Sequence, residues 1–225
     1  MAYKAVLFDM DGTLLDTLDD LWAAVNATMN RFGYPERTRE EVRQFVGNGV
    51  TRLLELALPG GASDPRFDEA VSAYRAYYAS HSEGKTAPYP GVPELVQRLT
   101  DAGIACAVVS NKPDRTTKLL AEKFFPEIRV AAGENEAAGI RRKPAPDMVF
   151  AAARELGVPL SDCVYVGDSE VDLDTGRAAG MDVISVLWGF RDREILEREG
   201  AVRFAASPEE LYEAVLGHGN SPGKG

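Results

Sequence analysis

Only two cysteines and two histidines occur among the 225 residues, and that scarcity removes several kinds of chemistry. Cys106 and Cys163 both sit inside apolar runs, where a thiol behaves as a small hydrophobe, so a reducing, cytoplasmic setting is expected. With His81 and His218 as the only imidazoles, zinc lacks its usual nitrogen and sulfur donors. No segment approaches the roughly 18 continuous apolar residues that a membrane span needs. The apolar run in MAYKAVLFDMD is too short for a secretion signal and turns acidic at once. Basic residues number 25 against 35 acidic ones, a formal charge of -10, and without a basic stripe a nucleic-acid partner is not expected. A small anionic substrate stays compatible with this charge, because a bound cation reverses the local sign. There is no Walker A sequence and no G-x-S-x-G elbow. The Gly-Asn-Gly at 47–49 lacks the third glycine and the preceding strand of a dinucleotide fingerprint.

What is present is a regular alternation. Short apolar runs fall at Ala5 to Phe8, Ile104 to Val109, Cys163 to Val166 and Val183 to Leu187, with weaker ones at Ile128 to Ala131 and Val202 to Ala205. Lacking polar alternation, they suit strands buried on both faces of a parallel sheet. Helical spacings lie between them, such as Val92, Leu95, Val96 and Leu99, then Val149, Ala152, Ala153 and Leu156, then Val171 to Ala179. This pattern predicts an α/β fold with a doubly wound parallel sheet, whose ligands bind beyond the carboxyl ends of the strands.

One stretch breaks the alternation. From Leu18 to about His81 the apolar residues keep helical spacing throughout, enough for four amphipathic helices that bury their stripes against one another. The chain therefore divides into a core of residues 1–16 and 88–225 and an inserted helical unit of residues 17–87. Asp16 or Thr17 is expected to cap the first helix, with Asp19 and Asp20 favouring its positive end. The Gly84 to Gly91 stretch, with Pro88 and Pro90, marks the return, and two adjacent connections make a hinge. The tail from Gly217 is expected to be disordered.

The charged residues gather where strands end. In FDMDGTLLDT, Asp9 and Asp11 follow the first strand two residues apart, so both face the ligand crevice. A calcium loop does not fit, because its glycine belongs at the sixth position and a glutamate at the twelfth; counted from Asp9 the glycine is fourth and the twelfth residue is Asp20. A plain turn leaves Asp9 unexplained. Ser110, Asn111 and Lys112 end another strand, where Ser110 or Asn111 caps a helix that starts near Pro113, or the hydroxyl and adjacent backbone N–H groups grip an anionic oxygen. Lys143, in RRKPAPD, is either a solvated loop charge or the cation that neutralises a carboxylate and a phosphate placed side by side. Asp168, in VGDSEVD, is either a helix cap or the third ligand of a metal. Hard oxygen donors at strand ends suit Mg²⁺, which relieves the repulsion between the aspartates and an incoming phosphate.

FDMDGTLLDT, VVSNK, RRKPAPD and VGDSEVD, in this order, resemble the motifs of the haloacid dehalogenase-like superfamily of phosphatases over nearly the whole chain, and the helical insertion looks like that superfamily's C1 cap. FVGNGVTRLLELAL, PYPGVPELVQRL and AAGMDVISVLWGFRDRE look most like its phosphoglycolate phosphatase branch. The resemblance implies a Mg²⁺-dependent hydrolase of small phosphorylated metabolites. Asp9 would be the nucleophile that forms an aspartyl-phosphate and Asp11 the general acid and base. The metal would be held by Asp9, the Asp11 backbone carbonyl and Asp168, with Asp172 holding a coordinated water. Ser110, the Asn111 N–H and Lys143 would bind the phosphoryl oxygens. Gly12 would permit the turn and Thr13 would hold Asp11. Asn48, Gly49 and Arg52 would contact the substrate, Arg52 facing a carboxylate, unless that loop is only a turn between helices. A sugar-phosphate mutase or a pyrophosphatase shares this frame. A phospho-acceptor receiver module is the rival of another class, disfavoured by Asp11 and by the helical insertion.

Overall fold

The computed structural model describes residues 2–82 and 84–217; His218 and the rest of the expected tail lie outside them. Strand β1 (Ala5–Phe8) comes first and β2 (Leu15–Asp16) follows after a tight turn. Then come α1 (Leu18–Phe32), α2 (Arg39–Phe45), α3 (Gly49–Ala57) and α4 (Phe67–His81), before β3 (Ala87–Pro88). Alternation begins with α5 (Val92–Asp101), β4 (Ala105–Pro113), α6 (Asp114–Phe124) and β5 (Val130–Glu134). It continues through α7 (Asp147–Leu156), β6 (Cys163–Gly167), α8 (Glu170–Ala179), β7 (Asp182–Val186), α9 (Arg193–Arg198), β8 (Phe204–Ala205) and α10 (Pro208–Val215).

Six strands form one parallel sheet in the order β5-β4-β1-β6-β7-β8. The predicted α/β class and helical cap are both found. Side chains on β1 alternate, as a pleated strand requires. Val6 and Phe8 join the core under α5 and α10, while Ala5 and Leu7 join the one under α7. Both faces are covered, which is why these strands read as unbroken apolar runs. The chain leaves β1 toward β4 on one side and β6 on the other, so the switch point lies over the end of β1.

The four helices between β2 and β3 have their own core, from Leu18, Leu21 and Val25 to Tyr74 and Tyr78, and it includes Phe190 from the loop after β7. The two connections to the sheet lie side by side, Leu15 opposite Pro88 and Asp16 opposite Ala87 in an antiparallel pair that hydropathy did not reveal. Asp20, buried at the start of α1, accepts bonds from the Lys85 and Thr86 amides and the Thr86 hydroxyl, which ties the return segment to the outgoing one. Capping of α1 differs from the expectation. The Thr17 hydroxyl donates to Asp11 Oδ1 at 2.7 Å instead of accepting from the helix, and Asp16 accepts from the Leu18 amide.

Candidate active site

Strand β1 stops at Phe8 and delivers Asp9 to the crevice, its amide still bonded to the Val166 carbonyl of β6. The chain then turns through Gly12, whose φ of +85° suits glycine. A Cβ at Gly12 would stand 2.3 Å from Asp168 Oδ2, and one at Gly189 would stand 2.3 Å from the Asp168 Cβ. A third at Gly167 would meet the Asp172 carboxylate at 2.2 Å. Bare backbone thus packs the two carboxylates at the end of β6 into place.

One carboxylate oxygen from each of Asp9, Asp168 and Asp172 lies within 4.8 Å of the other two. Asp168 accepts from the Thr13 hydroxyl and the Phe190 amide. Asp172 Oδ2 accepts from the amides of Asp168 and Ser169 and the Ser169 hydroxyl. The single cation within this cluster is Lys143, whose Nζ lies 2.8 Å from Asp9 Oδ1, 2.8 Å from Asp172 Oδ1 and 3.2 Å from the Tyr165 hydroxyl. It is buried, not a solvated loop charge, and Asn111 fixes it: the Lys143 amide donates to Asn111 Oδ1, and Asn111 Nδ2 donates to the Lys143 carbonyl.

Burial pushes the Asp9 carboxyl up to about 7; Lys143 pulls against this and Asp172 adds to it. Asp168 is driven well above the usual carboxylate range by burial, then by Asp172 and Asp9. For Lys143 burial works against the charge, but the Asp172 and Asp9 carboxylates outweigh it and hold the ammonium well above the ordinary lysine range. Two of the three carboxylates, Asp9 and Asp172, share one ammonium, and among the described residues Asp9 Oδ1 has no aligned hydrogen-bond donor. An ion pair at 2.8 Å without hydrogen-bond alignment leaves lone-pair capacity on that oxygen. The oxygen-only donor set fits a hard divalent cation.

Strand β4 supplies the opposite wall. Between Val109 and Pro113 it advances four residues while β5 advances two, from Ala132 to Glu134, so the register breaks where Ser110, Asn111 and Lys112 turn toward the crevice. The strand is longer than its apolar run because pairing resumes beyond this bulge. Lys112 Nζ reaches Asp11 Oδ1 at 2.9 Å and the Tyr78 hydroxyl at 2.6 Å. Asn111 Nδ2 also donates to the Gly47 carbonyl of the cap.

These groups line a cavity of about 590 Å³, counted with its open mouth, between sheet and cap. Asp9, Asp11, Ser110, Asn111 and Asp168 all face it, and so does Gly49. The other two cap-loop residues expected to contact the substrate lie elsewhere in this structure. Arg52 does not line the cavity; on α3 its guanidinium pairs with Glu55 one turn on and is half exposed. The helical spacing explains this, because Val50, Leu53 and Leu54 take the inward stripe and leave Arg52 outside. Asn48 precedes α3 without capping it and also lies off the cavity. Thr13 holds Asp168 and not Asp11, which Thr17 and Lys112 hold instead.

Sequence reasoning missed Tyr74, Tyr78, Phe190 and Arg191, and assigned Lys112 no role. Arg191 is buried, pairs with Glu170 at 2.8 Å, and donates to the Arg43 and Val46 carbonyls at the end of α2. Its surroundings in GFRDRE read as solvated charge. The tyrosines read as the inward stripe of α4, which they also are.

Residues 6–186 match the family model described as haloacid dehalogenase-like hydrolase. The chain is 34% identical over 215 residues to a phosphoglycolate phosphatase of Xanthomonas campestris, covering 93% of this chain and 95% of that one. It is 32% identical to an N-acetylmuramic acid 6-phosphate phosphatase of Pseudomonas aeruginosa, over 84% of each. A crystal structure of a Lactobacillus delbrueckii protein, named as a candidate phosphoglycolate phosphatase, superposes with a TM-score of 0.90 at 39% identity, covering 96% of this chain and 100% of that one.

Proposed function

Since the chain belongs to the haloacid dehalogenase-like hydrolase family, we propose that it hydrolyses small phosphate monoesters through a phosphoryl group carried on Asp9, with 2-phosphoglycolate as its substrate. The observation that carries this reading is the buried Asp9 with Lys143 at 2.8 Å and two further carboxylates within reach. Two of these relatives are phosphatases by name, and the Xanthomonas protein is named a phosphoglycolate phosphatase.

In the first half-reaction an Asp9 oxygen attacks phosphorus, the ester P–O bond breaks, and the Asp11 carboxyl gives its proton to the departing alcohol oxygen. In the second, the Asp11 carboxylate takes a proton from water as that water attacks the aspartyl-phosphate, releasing phosphate and restoring Asp9. Thr17 and Lys112 set the direction of Asp11 for both transfers. Ser110, the Asn111 N–H and Lys143 take the equatorial phosphoryl oxygens, where charge spreads in the transition state. Asp9, Asp168 and the Asp11 backbone carbonyl would hold Mg²⁺, with Asp172 supporting a bound water, its own carboxylate being engaged by Lys143 and Ser169. Bound Mg²⁺ supplies positive charge that offsets the repulsion between carboxylates and phosphate. The unit of residues 17–87 closes the crevice and excludes bulk water.

Asp9→Asn is the direct test, because an amide is a poor nucleophile. Phosphate release from 2-phosphoglycolate with Mg²⁺ should fall by about 10⁴-fold or more, the scale on which covalent nucleophiles are lost. Release within tenfold of the wild type would remove Asp9 from its role.

A further inference from the structure

The catalytic half of the cavity is fully equipped for a phosphoryl group, but the cap half offers little to a leaving group. Its walls are chiefly Leu21, Val50, Leu53 and Phe190, with Tyr74 and Tyr78; Arg191 also lines it, but its guanidinium is engaged by Glu170 and by the Arg43 and Val46 carbonyls. Within this surround the Tyr74 hydroxyl is buried and has no hydrogen-bond partner among the described residues. Phenol hydroxyls buried in proteins usually find one, and leaving one unmade is unfavourable. Burial also holds the Tyr74 phenol well above its ordinary range, so it remains a neutral donor.

The position of this orphan donor is informative. Tyr74 stacks on Tyr78 with ring centroids 5.7 Å apart, and the Tyr78 hydroxyl receives Lys112 Nζ. Lys112 Nζ in turn touches Asp11 at 2.9 Å. An ammonium has three donors, and these two contacts use two of them. Asp11, as the proton donor, must face the leaving oxygen, so the donors clustered beyond it face the remainder of the leaving group.

We infer that the Tyr74 hydroxyl and the Lys112 ammonium form a leaving-group subsite for a carboxylate, which confines good substrates to phosphate esters of short hydroxy acids. The inference rests on the phosphatase reading and deepens it, since it names the groups that select the alcohol. A compact anion with acceptor oxygens satisfies both donors at once and leaves the apolar walls around its carbon. A sugar leaving group would instead press several hydroxyls against Leu21, Val50, Leu53 and Phe190, where those hydroxyls find no partners. Arg52, the cation expected to meet a substrate carboxylate, is outside this space, and Lys112 stands in the position that the expectation gave to it.

The test compares 2-phosphoglycolate with ethyl phosphate, which has no carboxylate, in Tyr74→Phe. The ratio of kcat/KM for phosphoglycolate over ethyl phosphate should drop at least about tenfold, chiefly through KM, because a hydrogen bond to a charged group is lost. An unchanged ratio, or a parallel fall for both esters with a lowered Tm, would overturn the subsite and leave Tyr74 a packing residue. Binding separates this from the reaction itself. In calorimetry on Asp9→Asn protein, adding Tyr74→Phe should weaken 2-phosphoglycolate at least about tenfold more than ethyl phosphate. Equal weakening overturns the subsite. Phosphate release from neither ester by the wild type, with the binding difference intact, would sink the phosphatase reading and leave the subsite standing.

Discussion

Lys143 lies between Asp9 and Asp172, 2.8 Å from each, with its side chain 1% exposed. A charge so placed is stable only because its partners are charged, and removing it strands carboxylates that have already given up water. Lys143→Met keeps the stem and deletes the ammonium. At pH 8 the metal-free variant should lose about 3 kcal/mol of stability, the usual scale for breaking a buried pair. The loss should shrink at pH 5, and the sign follows from Asp9. Its folded pKa is raised to about 7, so at pH 5 it is already protonated in the wild type and only the Asp172 contact is forfeited. Chemical denaturation of both proteins at the two pH values checks this. A difference that grows on acidification would mean that Lys143 is not neutralising Asp9.

Among the elements, the loop from β7 to α9 has the greatest reach. Phe190 enters the hydrophobic core of the cap, and Arg191 ties Glu170 at the start of α8 to the carbonyls at the end of α2. Together with the Asn111 bond to the Gly47 carbonyl, this holds the closed arrangement. Arg191→Ala strips α2 of the guanidinium at its negative end and leaves its carbonyls to water, an opening favoured by about 1–3 kcal/mol. Amide exchange in α2 should accelerate by about 5- to 150-fold while β1 stays protected, and KM for phosphate esters should rise. Exchange that speeds up equally in β1 would show the arginine to be a global support and not a link between cap and core. The main elements were legible because strands buried on both faces read as unbroken apolar runs and the helices keep a period of 3.6. Asp9 and Asp168 were legible because carboxylates that follow buried strands have no packing reason to be there. Lys143 was visible only through its prolines, and Arg191 not at all, since a buried arginine in an acidic loop has the same local sequence as an exposed one. Thr17 takes the role expected of Thr13, and Thr13 meets Asp168, because a turn closed by the Asp11 to Leu15 bridge decides which hydroxyl meets which carboxylate.

For the molecule as a whole, part of the acidic excess is gathered into a buried cluster whose oxygen donors suit a divalent cation. A chain of formal charge -10 that must admit a phosphate ester has buried three carboxylates beside the end of its central strand, two of them against one ammonium. In the metal-free fold that arrangement favours protons: Asp9 is raised to about 7 and Asp168 well above its usual range, both first by burial. The folded state therefore holds protons that the unfolded chain has released, so these groups reduce metal-free stability as pH climbs from the ordinary carboxylate range through about 7. A divalent cation binds only the deprotonated cluster and so competes with those protons. At a Mg²⁺ concentration of about 100 times Kd the stabilisation is about 2.7 kcal/mol, or roughly 5–10 °C in Tm for a chain of this size. That gain should be full at pH 8 and largely gone at pH 5.5, and Asp168→Asn should abolish it at both. Scanning calorimetry with Mg²⁺ and with EDTA at the two pH values measures it directly. A gain independent of pH, or one that survives Asp168→Asn, would mean that the cation binds elsewhere and that the buried cluster is held together by protons alone.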